Sequence, residues 1–396
     1  MGEVMKIISV NCGSSSLKIS LFDMTTYQVI VAFNFERIGI SNPFYTINMN
    51  NEKIKKEKNF NNHEEAISIF LTELMGLKVL NSLDEIEGVG HRVVHGGDKY
   101  NNSIIIDEKV LADIEKYIFL APLHNPSNLL GIKAFKKFLP NIKSVAVFDT
   151  SFHQTLEKDA YLYPVPYEWY KEYGVRKYGF HGISHKYITE RMIDITGNKD
   201  LKIISCHLGN GCSIAAIDKG KCIDTSLGFT PNAGLMMGTR CGDIDYSIIP
   251  YIMKQTGKKL EEVIEDLNKK SGFLGVSGLS SDYREIAEGV NDKHEGSIIA
   301  EKIFIRRVIA YVSYYNSLLN GADVIVFTAG IGENMCLIRE KIGACLKTIG
   351  VNIDIEKNKA RKKEALITSD ESKIKGYVIP TNEELMIAKE VISLLN

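Results

Sequence analysis

The residues best suited to chemistry near the start of the chain lie in a turn of small polar residues between two apolar runs. The turn spans residues 13–16, with Asn11 just before it and Lys18 just after it. Backbone N–H groups, hydroxyls and one ammonium in so small a space favour binding of a phosphate group. Ser14 and Ser16 are therefore predicted phosphate contacts, with a role in shaping the turn as the alternative.

Two arginines in glycine-bearing segments predict sites for further anions. Arg92 lies in GHRVVHGG (90–97), where a guanidinium in a strand needs an anionic partner or an exit to solvent. An edge-strand arginine with a surface ion pair is the alternative. Arg240 lies in MGTRCGDID (237–245), where flanking glycines allow a ligand to approach the backbone closely.

The two arginines favour one type of phosphoryl acceptor over another. Transfer to a hydroxyl calls for a base such as Asp, whereas a carboxylate acceptor is already ionised at pH 7. The difficulty is then to bring two anions together, and arginines serve that purpose. The pair Arg92 and Arg240 therefore favours a carboxylate acceptor.

Three further segments place polar residues at the ends of strands or the beginnings of helices. Asp149 ends the strand of VAVFDTSFH (145–153), on the usual ligand side of an α/β sheet, and a capping role is its alternative. His181 in YGFHGISH (178–185) is the better functional candidate, because Ser184 or His185 is compatible with simply starting the next helix. In DVIVFTAGIGEN (323–334) a strand, Gly330 to Gly332 and a helix opened by Asn334 are typical of a nucleotide site.

The elements that must position these residues follow from apolar periodicity. The pattern predicts strands at 7–10, 17–22, 28–35, 87–94, 143–149, 202–206, 213–217, 221–225, 323–328 and 375–379. It predicts helices at 63–77, 108–120, 185–195, 258–268, 296–319, 334–348 and 382–394, the last capped by Thr381 or Asn382. Strand clusters followed by helices indicate an α/β protein with mixed sheets.

An internal repeat predicts that this arrangement occurs twice. IISVNCG at residue 7 and IISCHLG at residue 203 share Ile, Ile, Ser and Gly at a constant offset of 196, almost half of the 396 residues. Two similar phosphate-type hairpins predict two related domains that face one nucleotide.

Composition excludes several classes of function. The net charge of −1 and pI near 6.8 give no reason to expect nucleic acid or an anionic membrane as a partner. No window approaches the roughly 20 apolar residues of a membrane span, and no signal-peptide run precedes the first strand, so we expect a cytoplasmic protein. No GxxxxGK[ST] motif is present, which excludes a P-loop NTPase.

Eleven short motifs occur in an order that resembles the acetate kinase family across essentially the whole chain. They are NCGSSSLK, GHRVVHGG, APLHNP, VFDTSFH, YGFHGISH, CHLGNG, TSLGFTP, MGTRCGDID, SDYRE, TAGIGEN and IPTNEELMIA. The resemblance implies two duplicated actin-like (ribonuclease H-like) domains with mixed β-sheets flanked by helices and a nucleotide cleft between them. It implies an N-terminal domain of residues 1–150 plus the helix 384–396, and a C-terminal domain of residues 151–383 that carries nucleotide-binding and dimerisation surfaces.

The resemblance also implies an activity: Mg²⁺-dependent transfer of phosphate from ATP to acetate, giving ADP and acetyl phosphate reversibly and by direct in-line transfer. Mn²⁺ is an alternative metal, and the protein is expected to be a homodimer. A kinase that prefers propionate or butyrate is the main alternative, and Val94 favours acetate because propionate-type members resemble this pattern with a smaller residue there.

Residue roles are carried over from the family's motifs. Asn11 and Glu383 hold the metal, Arg92 binds the acyl substrate, His181 and Arg240 stabilise the transferring phosphoryl group, and Asp149 is either an acid/base or an orienting group. The small acyl pocket comprises Val94, Leu123, Phe180 and Pro231. The nucleotide meets the following residues: Ser14, Ser16, Lys18, His207, Leu208, Gly209, Asn210, Gly211, Asp282, Tyr283, Arg284, Gly330, Ile331, Gly332, Glu333 and Asn334. Tyr283 departs from the Phe often found in the family.

Overall fold

The computed structural model describes residues 5–359 and 363–395 as a mixed α/β protein. The strands are β1 (Lys6–Cys12), β2 (Ser16–Asp23), β3 (Gln28–Glu36), β4 (Phe44–Met49), β5 (Glu52–Glu57), β6 (Ile86–Val93), β7 (Ile104–Ile105), β8 (Lys143–Phe148), β9 (Lys202–Leu208), β10 (Cys212–Asp218), β11 (Lys221–Thr225), β12 (Val324–Thr328), β13 (Ala365–Leu366) and β14 (Lys375–Val378). The helices are α1 (His63–Gly76), α2 (Glu108–Lys116), α3 (Asn125–Phe138), α4 (Lys158–Tyr161), α5 (Tyr167–Tyr173), α6 (Gly182–Thr196), α7 (Ile248–Thr256), α8 (Leu260–Lys269), α9 (Gly272–Ser277), α10 (Tyr283–Asn291), α11 (Glu295–Leu318), α12 (Ala329–Asn334), α13 (Cys336–Leu346) and α14 (Glu383–Leu395). Within the described ranges no helix has both the length and the apolar character needed to cross a membrane.

The chain forms two compact units. Unit 1 comprises the described residues within Met1–Gln154 and Asn382–Asn396, and unit 2 comprises those within Thr155–Thr381. The predicted domains are duplicated modules, whereas units 1 and 2 are groups of residues that pack together. The domain limits predicted from the sequence therefore stay predictions. Residues 1–4 of the predicted N-terminal domain, and residue 396 of the helix assigned to it, lie outside the described residues.

The two sheets repeat one topology. In unit 1 the strand order is β5-β4-β3-β2-β1-β6-β8-β7, and in unit 2 it is β11-β10-β9-β12-β14-β13. In each, the first three strands of the repeat are antiparallel, the third pairs in parallel with the fourth, the fourth pairs in parallel with the fifth, and the last strand is antiparallel to the fifth. The six-strand pattern β3-β2-β1-β6-β8-β7 therefore corresponds strand by strand to the sheet of unit 2, and the duplication predicted from the 196-residue repeat is confirmed.

Both predicted hairpins form at the centres of these sheets. The first closes where Gly13 N–H donates to the carbonyl of Ser16 at 2.9 Å, and the ring Nε2 of His63 lies 2.8 Å from the carbonyl of Gly13. The second closes where Gly209 N–H donates to the carbonyl of Gly211 at 3.1 Å. Each turn therefore lies at the end of the central strand of its unit, as a ligand-binding turn requires.

Helix α14 packs on the sheet of unit 1, although it follows all of unit 2 in the chain. A Cβ atom at Gly90 would lie 2.5 Å from Ile387 and one at Gly88 would lie 2.6 Å from Val391, so only glycine allows the helix to approach this closely. The Asn382 side chain accepts a hydrogen bond from Leu385 N–H at 2.9 Å and caps the helix, as predicted. This cap places Glu383 in the first turn of the helix.

Several elements were absent from the sequence prediction or wrongly bounded. Most of the lysine-rich stretch 52–58 forms the largely exposed edge strand β5, which the sequence prediction lacked because its residues show no apolar alternation. Helix α3 begins at a segment with two prolines, because Pro126 occupies the first turn, where its missing N–H has no helical partner. Asn334 ends α12 instead of opening a helix, since the helical turn already begins at Ala329.

Candidate functional site

A buried ion pair in unit 1 joins the ends of two neighbouring parallel strands. Arg92 lies near the end of β6, and Asp149 follows β8 directly. Arg92 donates from Nε and Nη2 to the two carboxylate oxygens of Asp149, at 3.0 and 2.5 Å. The Asp149 side chain is 3% exposed and shielded from water, whereas that of Arg92 is 22% exposed and half-buried. Arg92 is thus on an inner strand with a buried partner, and the alternative of a surface ion pair on an edge strand is wrong.

The guanidinium of Arg92 retains donors beyond those it uses within the described residues. Its third hydrogen bond runs from Nη1 to Oδ1 of Asn11 at 3.2 Å. A guanidinium has five N–H groups, so one on each terminal nitrogen remains after these three bonds, counted over the described residues. Burial by itself lowers the pKa of Arg92, but Asp149 and Glu383 together raise it above the ordinary value, which keeps the group charged.

Glu383 belongs to the same cluster in unit 1. Burial raises the pKa of its carboxyl group, Arg92 opposes that shift, Asp149 adds to it and Lys18 opposes it. The groups that perturb it lie on β2, on β6 and directly after β8. The neighbouring Glu384 accepts a hydrogen bond from the hydroxyl of Ser20 at 2.5 Å, so it faces the sheet.

The oxygen donors of this cluster fit a hard divalent cation. Among residues 5–359 and 363–395 no group of three or more His, Cys, Asp or Glu side chains is arranged to hold a metal. Magnesium in kinases is commonly held by one or two carboxylates, water and substrate phosphates instead of a complete protein cage. The amide oxygen of Asn11 and the carboxylate of Glu383 meet that requirement, since a cation would also relieve the cost of burying the charged carboxylate.

The other predicted residues of unit 1 differ in exposure. Lys18 lies opposite Asn11 in the β1–β2 register and is exposed, as is Ser14, whereas Ser16 is half-buried. Val94 is buried and its N–H donates to the side chain of Asn128 at 3.1 Å. Leu123 is 69% exposed, so its predicted place in the acyl pocket stays a prediction.

Unit 2 brings a histidine and an arginine to one backbone position. A Cβ atom at Gly211 would lie 3.4 Å from Cε1 and Nε2 of His181 and 3.8 Å from Nη1 of Arg240. Glycine therefore leaves open the space on which both side chains converge. Arg240 donates to the carbonyl of Pro231 at 2.8 Å and has no carboxylate partner among the described residues. Burial lowers the pKa of Arg240, as expected for a guanidinium without a counter-ion.

The loop that carries Arg240 is held by backbone contacts. Met237 N–H donates to the carbonyl of Arg240 at 3.1 Å, and Gly238 N–H donates to the carbonyl of Asn210 at 2.9 Å. Gly272 has φ of 64°, and a Cβ atom there would lie 2.1 Å from the carbonyl oxygen of Met237. The loop thus fits only against a glycine in the left-handed region.

A cavity of about 790 Å³ in unit 2 is lined by many of the predicted nucleotide residues. Its lining comprises Gly209, Asn210, Ser281, Asp282, Tyr283, Arg284, Gly330, Ile331, Asn334 and Met335. Eight of these ten were predicted; Ser281 and Met335 are additions. Three segments far apart in sequence, one a turn and two at the starts of helices, therefore meet at one cavity large enough for a drug-sized or nucleotide-sized ligand.

The remaining predicted residues of unit 2 lie beside this cavity or support it. Leu208 and Phe180 are buried, and His207 stacks on His181 with ring centroids 4.3 Å apart. Gly332 is buried within α12. The carboxylate of Glu333 accepts hydrogen bonds from the N–H groups of Ala329, at 2.8 Å, and Thr381, at 3.1 Å, so it stabilises the loop. Contact between nucleotide and the Glu333 side chain stays a prediction.

Two buried groups near the site were missed by sequence reasoning. Arg339 is fully buried and donates to the carbonyls of Gly332 and Glu333 at 2.8 and 3.0 Å, which stabilises the end of α12. His185, interpreted as a possible helix start, is fully buried and bonded through both ring nitrogens. No sequence signal identifies Arg339. His185, in contrast, lies one helical turn after His181, and this spacing is a signal that could have identified it.

Comparison with known proteins agrees with this arrangement. A sequence profile described as the acetokinase family matches residues 6–389. The acetate kinase of Bacillus cytotoxicus is 51% identical over 393 residues, covering 99% of both chains. The acetate kinase of Bacillus subtilis is 49% identical over 391 residues, covering 98% of this chain and 99% of the relative.

Solved structures give the same result. The crystal structure of Porphyromonas gingivalis acetate kinase matches with a TM-score of 0.95 at 43% identity, covering 99% of this chain and 100% of that one. The crystal structure of a propionate kinase from Francisella tularensis matches with a TM-score of 0.93 at 40% identity, covering 98% and 99%. Profile, sequence and structure each span almost the whole chain, and the chain belongs to the acetokinase family.

Proposed function

We propose that the protein is an acetate kinase, which transfers the γ-phosphoryl group of ATP to the carboxylate of acetate. One observation carries this proposal: Arg240, half-buried and without a carboxylate partner in the described chain, converges with His181 on the open space at Gly211. A desolvated cation of this kind calls for an anionic substrate. Full-length relatives at about half identity that are named acetate kinases support the same reaction.

The acceptor is proposed to bind Arg92. The two N–H groups left on its terminal nitrogens suit a carboxylate, which then needs no base because it is ionised at neutral pH. One acetate oxygen attacks the γ-phosphorus, and the bond between that phosphorus and the bridging oxygen of ADP breaks. Arg240 and His181 stabilise the charge on the transferring group. Both carboxylate oxygens of Asp149 are used by Arg92, which supports an orienting role for Asp149 over an acid/base role.

Magnesium is proposed as the metal, with manganese as a substitute. Asn11 and Glu383 would hold it in unit 1, together with substrate phosphate and water. When bound, such an ion neutralises charge on the β- and γ-phosphates. The cavity residues of unit 2, notably Asp282, Arg284 and Gly330, are proposed to bind the nucleotide.

A short-chain acyl kinase that prefers propionate or butyrate is the second candidate. A propionate kinase from Francisella tularensis shares the fold at 40% identity, so fold alone does not separate the two activities. Discrimination between acetate and propionate depends on the acyl pocket, where one methylene changes the free energy of transition-state binding by roughly 1–3 kcal/mol. Val94, buried at 5% exposure, supports acetate because it leaves less room than a smaller side chain.

Assembly and location are proposed from the family resemblance. The protein is proposed to be a cytoplasmic homodimer, with α11 as a candidate contact because Ile299, Tyr314 and Leu318 on that helix are exposed. Light scattering coupled to size exclusion tests the dimer, and a monomer at micromolar concentration would contradict it.

The activity is tested by trapping acyl phosphate with hydroxylamine. Purified protein is incubated with ATP and Mg²⁺ and with acetate, propionate or butyrate, and ATP-free reactions serve as controls. We expect ATP-dependent hydroxamate with the highest kcat/KM for acetate. A higher kcat/KM for propionate would select the second candidate, and no hydroxamate from any acid would instead indicate a non-catalytic ATP-binding module.

A further inference from the structure

Behind His181, a chain of buried hydrogen bonds extends into the sheet of unit 2. Nδ1 of His181 lies 2.9 Å from the hydroxyl of Ser213, which lies 2.8 Å from Nε2 of His185. Nδ1 of His185 lies 2.9 Å from the hydroxyl of Ser205. We call these four residues the Ser–His chain. Ser205, Ser213 and His185 are all fully buried, so no bulk water competes for these bonds.

Hydrogen bonding allows the Ser–His chain to run in two directions when both imidazoles are neutral, since each then has one N–H and one acceptor nitrogen. In the outward direction Ser205 donates to His185, His185 donates to Ser213 and Ser213 donates to Nδ1 of His181. His181 then carries its proton on Nε2. In the inward direction every bond reverses, and His181 carries its proton on Nδ1.

Ser205 makes the two directions unequal. Its hydroxyl has a single hydrogen-bond partner among the described residues, Nδ1 of His185. In the inward direction Ser205 accepts from His185, and its own O–H is left buried and unpaired. In the outward direction that O–H is used. Leaving a buried donor unpaired disfavours the inward direction by roughly 5- to 150-fold.

We propose that Ser213, His185 and Ser205 are positioning residues that hold His181 as the Nε2–H tautomer. The Nε2 edge of His181 faces the open space at Gly211, on which Arg240 also converges. The chain thereby presents a hydrogen-bond donor there, where an acceptor nitrogen would repel a phosphoryl oxygen. This inference deepens the proposed function and rests on it for the identity of the anion. The tautomer itself follows from the buried hydrogen bonds alone.

The tautomer is measured directly by long-range ¹H–¹⁵N correlation NMR on the full-length protein labelled with ¹⁵N-histidine. The chain has nine histidines, and the spectrum of His181→Gln assigns the His181 signals by their loss. We expect the proton on Nε2 of His181 in at least about fivefold excess. A dominant Nδ1–H form, or an excess below fivefold, would overturn the proposal.

Variants separate positioning from packing. Ser213→Ala removes the hydroxyl that links the two histidines, so the nitrogen chemical shifts of His181 should move toward those of a tautomer mixture. In the same variant kcat should fall roughly tenfold, with the KM values for ATP and acetate nearly unchanged. Ser213→Thr keeps a hydroxyl and should restore the His181 shifts and kcat. In Ser205→Ala both directions leave a nitrogen of His185 unpaired, so the Nε2–H excess should shrink. Unchanged His181 shifts in both alanine variants would refute the positioning role.

Ser226→Ala is the matched control. The Ser226 hydroxyl is also buried, directly after β11, and accepts from Ile214 N–H at 2.9 Å, but in the described residues it has no hydrogen bond to either histidine. This variant should keep the His181 tautomer. A shift of His181 signals in Ser226→Ala equal to that in Ser213→Ala would count against the chain. If the wild-type protein formed no hydroxamate but carried the His181 proton on Nε2, the proposed function would be contradicted and the tautomer assignment would still hold.

Discussion

Replacing Arg92 by alanine should damage the fold of unit 1 as well as the reaction. The change leaves the carboxylate of Asp149, whose side chain is 3% exposed, buried without its two charged hydrogen bonds. Breaking a buried pair in this way costs about 3–5 kcal/mol. In a unit of this size 1 kcal/mol shifts Tm by about 2–4 °C, so the expected loss is roughly 6–20 °C.

The Arg92→Ala/Asp149→Ala double variant separates burial of a lone charge from loss of packing. It removes both charges, so its Tm should lie above that of Arg92→Ala, although it has lost more atoms. Both variants should lose most acetate kinase activity, with the larger change in KM for acetate. The assays are thermal unfolding by far-UV circular dichroism and hydroxamate formation across acetate concentrations.

The surface offers a matched ion pair as a control. Arg191 donates to both oxygens of Glu364, from Nε at 2.6 Å and from Nη2 at 2.8 Å, but both side chains are 36% exposed. Arg191→Ala should therefore cost about 0–1 kcal/mol and leave activity intact. If Arg92→Ala lowered Tm no more than Arg191→Ala, leaving the buried Asp149 carboxylate unpaired would not cost the roughly 3–5 kcal/mol expected above.

Three further substitutions test other parts of the site. Arg240→Ala should lower kcat by roughly 10³-fold or more with a shift in Tm of only a few degrees, because the side chain donates to protein only at the Pro231 carbonyl and, over 3.7 Å, at Sδ of Met237 in the described residues. Arg306→Ala, an exposed arginine on α11, is the control, and a loss below tenfold would remove Arg240 from the site. Val94→Ala should raise the propionate-to-acetate ratio of kcat/KM by roughly tenfold or more, and an unchanged ratio would place Val94 outside the acyl pocket. Gly272→Ala should abolish activity and lower Tm, because its Cβ would overlap the loop that carries Arg240. Gly257→Ala is the control, since Gly257 also has a positive φ (71°) but no atom lies within 4 Å of the added Cβ. This control should cost only about 1–3 kcal/mol of backbone strain and keep kcat. Equal activities of these two glycine variants would contradict the steric reasoning.

Local patterns were sufficient to predict the parts of the fold that depend on short-range physics. The hairpin strands around Asn11 and around Gly209 are short apolar runs joined by turns that hold glycine, and the two share a repeated pattern, so both were predictable from the sequence alone. The 196-residue repeat predicted that the sheets would share a topology. The cap at Asn382 follows from its position three residues before the helix interior.

Partners distant in sequence could not be predicted from such patterns. Nothing near Arg92 indicates that its partner is Asp149, 57 residues later, because the pairing depends on β6 and β8 being parallel neighbours. The buried role of His185 was missed because a histidine in the first turn of a helix is compatible with solvent exposure. Strand β5 was missed because Ile54 is its single apolar residue and the other five are charged, as is common for an edge strand.

The position of α14 in the chain has a consequence for biosynthesis. The helix covers the part of the unit 1 sheet where Gly88 and Gly90 meet Val391 and Ile387, yet it is translated only after the whole of Thr155–Thr381. At ribosomal rates of 5–20 residues per second, the nascent sheet waits roughly 10–45 s for its cover. During that interval an apolar surface is open to chaperones and to other nascent chains. The carboxylate of Glu383 arrives with the same helix, so a partly made chain lacks one of its two proposed metal ligands until synthesis has passed this point.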